Sequence, residues 1–143
     1  MADIRKILVP VDFSTCSRDA LEHAIALSER YYGASIDVLH VWESPRPASS
    51  TAVEATRVQA MKEMETLLAD HEAKGVIKLH RVHEGGEPVP AILDFAKRGD
   101  YDLIVMGTHG RTGMAHDYLG SVAEKVVRRA PAPVLTVRAG GAS

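Results

Sequence analysis

A glycine-rich stretch at residues 107–121 has the residue types and spacing to hold an anion. Gly107 and Gly110 follow an apolar run typical of a strand, and Gly120 and Ser121 open a helical pattern. Glycine lets a backbone turn sharply and come close to a ligand. Free N–H groups and the dipole at the start of a helix favour negative charge. The stretch therefore predicts a phosphate site in two parts, one on each side of a loop.

The rest of the chain must position this stretch, and it does so with alternating apolar runs and helical patterns. Strands are predicted at residues 4–11, 36–41, 76–84, 101–106 and 134–137, with a helix in each interval. This alternation predicts an α/β fold with an open five-stranded parallel sheet and helices on both faces. We expect the strand order 3-2-1-4-5, and a single domain over residues 1–143.

Asp12 directly follows the first predicted strand. In open parallel sheets, ligands bind beyond the carboxyl ends of the strands, where the strand order reverses. With the order 3-2-1-4-5 that reversal falls between the first and fourth strands, so Asp12 would face the glycine stretch. Asp12 could equally be the N-cap of the first helix, and the two roles are compatible.

Two helical patterns also predict core residues. Their apolar residues are expected to point inward: Val58, Met61, Met64 and Leu68 in the second helix, and Val122, Ala123, Val126, Val127 and Ala130 in the last.

Composition excludes several classes of partner. The formal net charge is −2, which gives no basis for nucleic acid or an anionic membrane as the main partner. No apolar run approaches the ~20 residues of a membrane span, and the first residues lack a signal-peptide pattern. The single cysteine, Cys16, rules out an internal disulfide. We expect a soluble cytoplasmic protein.

Cys16 and the seven histidines raise two further possibilities. A thiol near a helix start could be a redox sensor, but a small buried residue is the better expectation, because no second cysteine is present to resolve an oxidised thiol. His80 and His83 should point to opposite faces of a strand and cannot readily share a metal. We therefore expect no dedicated metal site.

Three segments together resemble a known family. Gly107-x2-Gly110-x9-Gly120-Ser121 resembles the G-x2-G-x9-G-[S/T] signature of the ATP-binding universal stress proteins. Residues 6–12 resemble the opening strand of that family, and residues 120–135 resemble its closing segment. The resemblance covers the whole chain. It implies a Rossmann-like fold of the adenine nucleotide alpha hydrolase type.

The resemblance also implies a ligand, site residues and an assembly. The ligand would be ATP, ADP or AMP, with Mg²⁺ able to accompany the phosphates. Asp12 would bind the ribose hydroxyls. The base and sugar would contact Pro10, Val11, Val41 and Met106. The phosphates would contact Gly107, His109, Gly110, Gly120, Ser121 and Val122. Homodimers would form through the last strand, Val134, Leu135, Thr136 and Val137.

The function expected from this resemblance is a homodimeric stress-response or signalling module with little or no hydrolysis, acting on an unidentified protein partner. One alternative is a slow ATPase using His109, Arg111 or Asp117, although the sequence contains no P-loop lysine motif. The other is a dimeric interaction module without nucleotide. Asp117 departs from the family pattern and would add negative charge near the phosphates.

Overall fold

Strands and helices alternate along the parts of the chain that the computed structural model describes, residues 3–30, 33–43, 49–73, 79–109 and 120–138. The strands in this part are Lys6–Pro10 (β1), Ser35–Trp42 (β2), Leu79–Gly85 (β3), Leu103–Gly107 (β4) and Val134–Val137 (β5). The helices are Thr15–Arg30 (α1), Ser50–Ala73 (α2), Pro88–Gly99 (α3) and Ser121–Arg129 (α4).

The strands form one parallel sheet with the order β3-β2-β1-β4-β5. In the centre, Ile7 of β1 pairs with Ile36 of β2 and with Leu103 of β4. Each parallel pair needs a long crossover, which the helices provide. The predicted α/β class and open parallel sheet are confirmed.

Alternating side chains divide the core into two layers, one on each face of the sheet. Ile7 and Val9 pack with α1 and α2 on one face, whereas Leu8 packs with α3 and α4 on the other. This alternation follows from the two-residue repeat of a strand. Because both faces are covered, residues 7–9 of β1 and 103–106 of β4 are apolar without a break, as expected for a parallel sheet.

The prediction for the apolar residues of α2 is partly wrong. Met64 and Leu68 are fully buried, but Val58 and Met61 are 36% and 37% exposed. The buried stripe of α2 follows every fourth residue, Ala60, Met64 and Leu68. Val58 lies two residues before Ala60, which places it about 200° around the helix and away from the sheet.

The last helix departs from its prediction at a single position. Ala123 and Val126 are buried as expected, but Val127 is 43% exposed. A nine-residue helix lying on a sheet can bury only one narrow stripe, and Val127 falls outside it.

Within the described residues, no helix combines the length and the hydropathy that crossing a bilayer would require.

Candidate functional site

The crevice predicted from the sequence lies where β1 and β4 run side by side. Leu8 of β1 pairs with Ile104 of β4. The chain leaves β1 into α1 on one face of the sheet and proceeds from β4 to α4 on the other. Because α1 and α4 lie on opposite faces of the sheet, the region beyond the carboxyl ends of β1 and β4 is the place where open α/β sheets bind ligands.

Asp12 lies at the β1 side of this crevice and is tied to the start of α1. Its Oδ1 accepts a hydrogen bond from the Ser14 N–H at 3.0 Å, and its own N–H donates to Ser17 Oγ at 3.3 Å. Ser14 is the N-cap of α1, because its Oγ accepts from the Ser17 N–H at 3.2 Å. Asp12 therefore braces the turn before the helix while remaining only half-buried.

The turn that carries Asp12 is strained at Phe13. Its φ of +67° lies in the left-handed region, which is uncommon for a bulky residue and costs roughly 1–2 kcal/mol. Burial of the ring, its centroid 4.3 Å from the His40 ring, offsets this cost. Arg18 Nε donates to the Phe13 carbonyl at 3.3 Å. These contacts fix the path from β1 into α1, and with it the position of Asp12.

Three of the four residues predicted to contact a base share one face of the sheet. Met106 and Val41 belong to the layer beneath α3 and α4. Pro10 lies two residues after Leu8 in the chain, so both side chains lie on the same face of the sheet. The Val11 side chain is instead buried in the opposite layer, against α1 and α2.

Val11 also has its main-chain groups bonded to β2. Its N–H donates to the Leu39 carbonyl at 2.8 Å, and its carbonyl accepts from His40 Nδ1 at 2.9 Å. His40 must therefore carry a proton on Nδ1, since a carbonyl can only accept. Val11 positions Asp12 and Phe13 and presents no side chain to the crevice.

Gly107, at the end of β4, approaches protein rather than open space on one side. A Cβ at this position would lie 2.8 Å from Cys16 Sγ and 2.9 Å from the Cys16 carbonyl carbon. Such distances are essentially forbidden, so only glycine lets β4 and the first turn of α1 come this close. The thiol sensor, which the sequence left as the less favoured possibility for Cys16, does not fit this environment, because Cys16 is only 3% exposed. Its expected role as a small buried residue is confirmed.

A buried polar network joins the ends of β4 and β5 to α1. The Cys16 thiol and the Thr108 N–H both donate to the Val137 carbonyl, at 3.1 and 2.9 Å. Thr108 Oγ1 lies 3.6 Å from Cys16 Sγ and 3.0 Å from His109 Nδ1. Thr108 is 6% exposed, so its hydroxyl is committed to these two neighbours.

The network favours one tautomer of His109. The Cys16 thiol has one hydrogen, which it donates to the Val137 carbonyl. Of the two neighbours of Thr108 Oγ1, His109 Nδ1 is closer than Cys16 Sγ. We infer that the Thr108 hydroxyl donates to Nδ1, which leaves the imidazole proton on Nε2. His109 Nε2 is itself buried and has no hydrogen-bond partner among the described residues. A buried polar atom left without a partner costs about 1–3 kcal/mol, so this nitrogen is a candidate contact for a ligand.

The start of α4 lies against His109. The Gly120 N–H donates to the Thr108 carbonyl at 2.7 Å, and a Cβ on Gly120 would lie 3.0 Å from that oxygen and 3.6 Å from His109 Cδ2. Cδ2 is bonded to Nε2, so the unpartnered nitrogen lies beside the helix start. Glu124 N–H already donates to Gly120 O at 2.9 Å, which begins the intrahelical ladder.

The first-turn N–H groups of α4 are therefore the main-chain donors available at this helix start. They belong to Ser121, Val122 and Ala123, the positions that lack intrahelical acceptors in any α-helix. Ser121 is exposed and Val122 is half-buried. The predicted donor Gly120 is different, because its N–H is bonded to Thr108.

Gly110 and the residues that follow it, up to position 119, lie outside the described residues. The prediction that Gly110 contacts phosphate, and the expectation that Asp117 adds charge nearby, both fall there.

Sequence reasoning missed two residues that shape the site. Thr108 occupies an unspecified position between the two glycines, and only its contacts with Cys16 and His109 reveal its role. Ala123 was assigned to the core, which it joins through its side chain. Ala123 is the third residue of α4, and this position indicates a main-chain N–H that lacks an intrahelical acceptor.

This geometry can now be compared with known proteins. A model of the universal stress protein family matches residues 3–138. The chain belongs to the universal stress protein family. A universal stress protein of Methanocaldococcus jannaschii is 34% identical, with the match covering 94% of this chain and 82% of that relative.

Solved structures of universal stress proteins share the fold. The universal stress protein UspA of Lactobacillus plantarum has a TM-score of 0.84 at 27% identity, with 96% of this chain and all of that one covered (100%). A universal stress protein in complex with cAMP has a TM-score of 0.77 at 20% identity, covering 97% of this chain and 100% of that one. At that identity the likeness is one of fold.

Proposed function

We propose that this universal stress protein binds an adenine nucleotide in the crevice between Asp12 and the start of α4. The observation that carries the proposal is the buried Nε2 of His109, a ring nitrogen that has no hydrogen-bond partner among the described residues and lies beside a helix N-terminus. A phosphate oxygen satisfies that donor and accepts from the helix N–H groups at the same time. The cAMP-bound neighbour supports an adenine nucleotide as a ligand that this fold can hold.

The phosphates would be held by donors on both sides of the glycine-rich loop. His109 Nε2 supplies one hydrogen bond from the β4 side, and the N–H groups of Ser121 and Val122 supply others from α4. The dipole of α4 adds attraction for the charge. In this proposal Gly107 and Gly120 have no side chain, so the backbone around them can pack closely. Gly110 completes the sequence motif that indicates ATP binding.

The nucleoside would lie across the ends of β1, β2 and β4. The Asp12 carboxylate is the acceptor proposed for the ribose hydroxyls, because a carboxylate oxygen can accept from a diol. Pro10, Val41 and Met106 offer an apolar wall for the purine, whereas the Val11 side chain faces the opposite layer. The proposal includes ATP, ADP and AMP as candidate ligands.

We propose Mg²⁺ only as an ion that binds together with the nucleotide phosphates. The described part of the chain holds no group of three carboxylate, imidazole or thiol side chains that could bind a metal together. Phosphate oxygens would then supply the main ligands of the ion, as is usual for nucleotide-bound magnesium.

Calorimetry with a pair of histidine variants tests the proposal. His109→Ala should weaken binding of the tightest of ATP, ADP and AMP by roughly tenfold or more, as expected for a lost charge-assisted hydrogen bond. His23→Ala is the matched control, because His23 lies exposed on α1 with its Nδ1 2.9 Å from the Asp19 carbonyl. If the unsubstituted protein releases no nucleotide on denaturation and binds none, the chain is an interaction module without nucleotide.

Little or no hydrolysis is expected at this site. The donors described above stabilise bound phosphate but do not activate a water molecule. The slow-ATPase alternative makes a distinct prediction, a single-turnover rate well above the uncatalysed one that is lost in His109→Ala. A rate indistinguishable from that of the variant supports a binding module without hydrolysis.

We also propose that the protein is a homodimer formed through β5. This strand ends the sheet, and Leu135 on it is 39% exposed, with Val127 of α4 nearby in sequence and 43% exposed. An apolar edge strand is an aggregation hazard unless it is paired, and a two-fold contact pairs it. Leu135→Lys should yield monomers in sedimentation, whereas Ala26→Lys on the exposed surface of α1 should not. A dimer unchanged by Leu135→Lys would refute this interface.

A further inference from the structure

The first half of α2 stands outside the core. α2 spans 24 residues, about 36 Å, whereas α1 spans 16. None of residues 50–59 is buried, and continuous burial begins only at Ala60. The exposed face opposite Ala60 carries Val58 and Met61, the two large apolar residues that the sequence wrongly predicted to be core.

This face has a charged residue at each end. Thr51, Glu54, Ala55, Val58 and Lys62 lie on it. Glu54, Val58 and Lys62 are spaced by four residues, so they form one inclined row on the helix surface. The row has an acidic end, an apolar centre and a basic end.

We propose that this face of α2 binds the same face of a second copy of the chain, in an antiparallel contact with two-fold symmetry near Val58. Rows spaced by four residues interdigitate in the commonest class of helix packing. A two-fold axis places each row antiparallel to the same row of the second copy. Each Glu54 carboxylate then lies beside the partner's Lys62, and the two Val58 side chains lie near the axis.

The size of the side chains suits the same contact. Ala55 and Met61 are each three residues from Val58, on opposite sides of it. The two-fold axis therefore brings the small residue of one copy towards the large residue of the other, as interlocking helix surfaces require. The face is thus self-complementary in charge and in shape.

One existing contact competes with the new ion pair. Glu54 already pairs with Arg57 within α2, and Arg57 also contacts Met61 Sδ at 3.0 Å. Both partners are largely exposed, with side-chain exposures of 57% and 44%, and such pairs contribute little stability. Glu54 can therefore accept a second cation, and burial of Val58 and Met61 provides most of the attraction. A single helix face is small, so we expect weak, concentration-dependent association.

Complementary charge reversals test the proposal without reference to nucleotide or β5. Glu54→Lys places only cations at the ends of the row, and Lys62→Glu places only carboxylates there. Each variant alone should show a lower weight-average mass by sedimentation at high concentration than the unsubstituted chain. An equimolar mixture of the two should regain the full mass, because lysines of one copy then face carboxylates of the other. Asp70→Lys, further along α2, is the control and should associate normally.

Cysteine crosslinking provides an independent measurement. Val58→Cys should form a disulfide-linked pair under mild oxidation, because the two side chains lie near the axis. Asp70→Cys should not, because twelve residues on each side of the axis separate its copies by about 36 Å. Cys16 is buried and is the internal control.

Failure of either pattern overturns this contact. A mass unaffected by both charge reversals, or a mixture that does not recover, means that α2 carries no self-association. A loss caused by Leu135→Lys with normal behaviour of the α2 variants would assign all assembly to β5 instead. Neither result bears on nucleotide binding, which is measured separately on His109→Ala.

Discussion

The thiol of Cys16 donates a hydrogen bond to the carbonyl oxygen of Val137 at 3.1 Å. The first turn of α1 is thereby joined to the last residue of β5. The Thr108 N–H donates to the same oxygen at 2.9 Å, so β4 is tied in as well. One carbonyl group thus connects the proposed phosphate site, through Thr108 and His109, with the strand proposed to form the homodimer.

The first prediction concerns the close approach of Gly107 to Cys16. Gly107→Ala should destabilise the protein by about 1–3 kcal/mol, because the added methyl overlaps the first turn of α1. Urea unfolding with linear extrapolation measures the change. Gly85→Ala is the matched control, since its added Cβ would meet only the Trp42 ring at an ordinary 3.4 Å.

A double variant separates steric overlap from loss of the thiol. Cys16→Ala removes the sulfur, but the Cys16 carbonyl carbon and Cβ each still lie 2.9 Å from the position of the new methyl. Gly107→Ala should therefore remain destabilising in the Cys16→Ala background. Full recovery in the double variant would contradict a backbone clash and locate the conflict at the sulfur alone.

The second prediction concerns Thr108 as a positioning residue for His109. Thr108→Val removes the hydroxyl that lies 3.0 Å from His109 Nδ1, so the imidazole loses its fixed tautomer. Nucleotide affinity should fall roughly fivefold, within the net value of one hydrogen bond. Calorimetry measures the affinity, and the ¹⁵N chemical shifts of the imidazole report the tautomer.

Thr108→Ser provides the control because it retains the hydroxyl. It should preserve both the ¹⁵N shifts of His109 and most of the affinity. Equal weakening in the serine and valine variants, with unchanged imidazole shifts in both, would mean that Thr108 acts only by packing.

The sequence predicts the parallel sheet because the sheet depends on local patterns. The bounds of β5 at residues 134–137 match those expected, since an apolar run directly after prolines leaves little freedom. Asp12 lies two residues after β1, and Gly107 ends the neighbouring strand β4, as expected from the predicted strand order. Features that depend on the spacing of residues close together in the chain could thus be predicted without a structure.

Close contacts between residues that are far apart in the chain could not be predicted in the same way. The glycine at 107 was predicted to approach a ligand, yet its close contact is with Cys16, 91 residues away in the chain. Val58 has helical spacing from other apolar residues but lies on the face of α2 opposite the sheet. Spacing gives the direction of a side chain only relative to its own helix, and the docking of that helix decides which side is buried.

The third prediction concerns Tyr101 at high pH. Its hydroxyl donates to Asp37 Oδ2 at 2.5 Å, and burial, together with that hydrogen bond to a carboxylate and its charge, raises the pKa of Tyr101 above its ordinary value near 10. Folding therefore favours the protonated phenol. The associated stability is fully present below pH ~10 and is lost as pH rises from there towards the raised pKa.

Tyr101→Phe isolates this contribution. The variant should be less stable than the unsubstituted protein by about 1 kcal/mol between pH 7 and 9, the net value of a hydrogen bond. Above pH 10 the difference should shrink, because only the tyrosine protein loses stability by ionisation at this position. Urea unfolding across that range measures it, and a difference that grows with pH would contradict the assigned direction.

The fourth prediction concerns Asp102, which connects β1 to the start of β4. Its Oδ2 accepts from the N–H groups of Arg5 and Lys6, at 2.8 and 3.0 Å, and these two hydrogen bonds lower the pKa of the carboxyl below its ordinary value. Folding therefore favours the charged form. The stability it provides is present above the unfolded pKa of ~3.9 and is lost as pH falls through the lower folded pKa.

Asp102→Asn should accordingly lower the melting temperature by a few degrees near pH 7, with the difference between the two proteins fading towards pH 3. Calorimetric melting curves across that range measure the difference. Added salt should leave most of it intact, because hydrogen bonds to adjacent N–H groups are screened far less than interactions between distant charges. A difference that vanishes in salt at pH 7 would instead assign the effect to the charges of the Arg5 and Lys6 side chains.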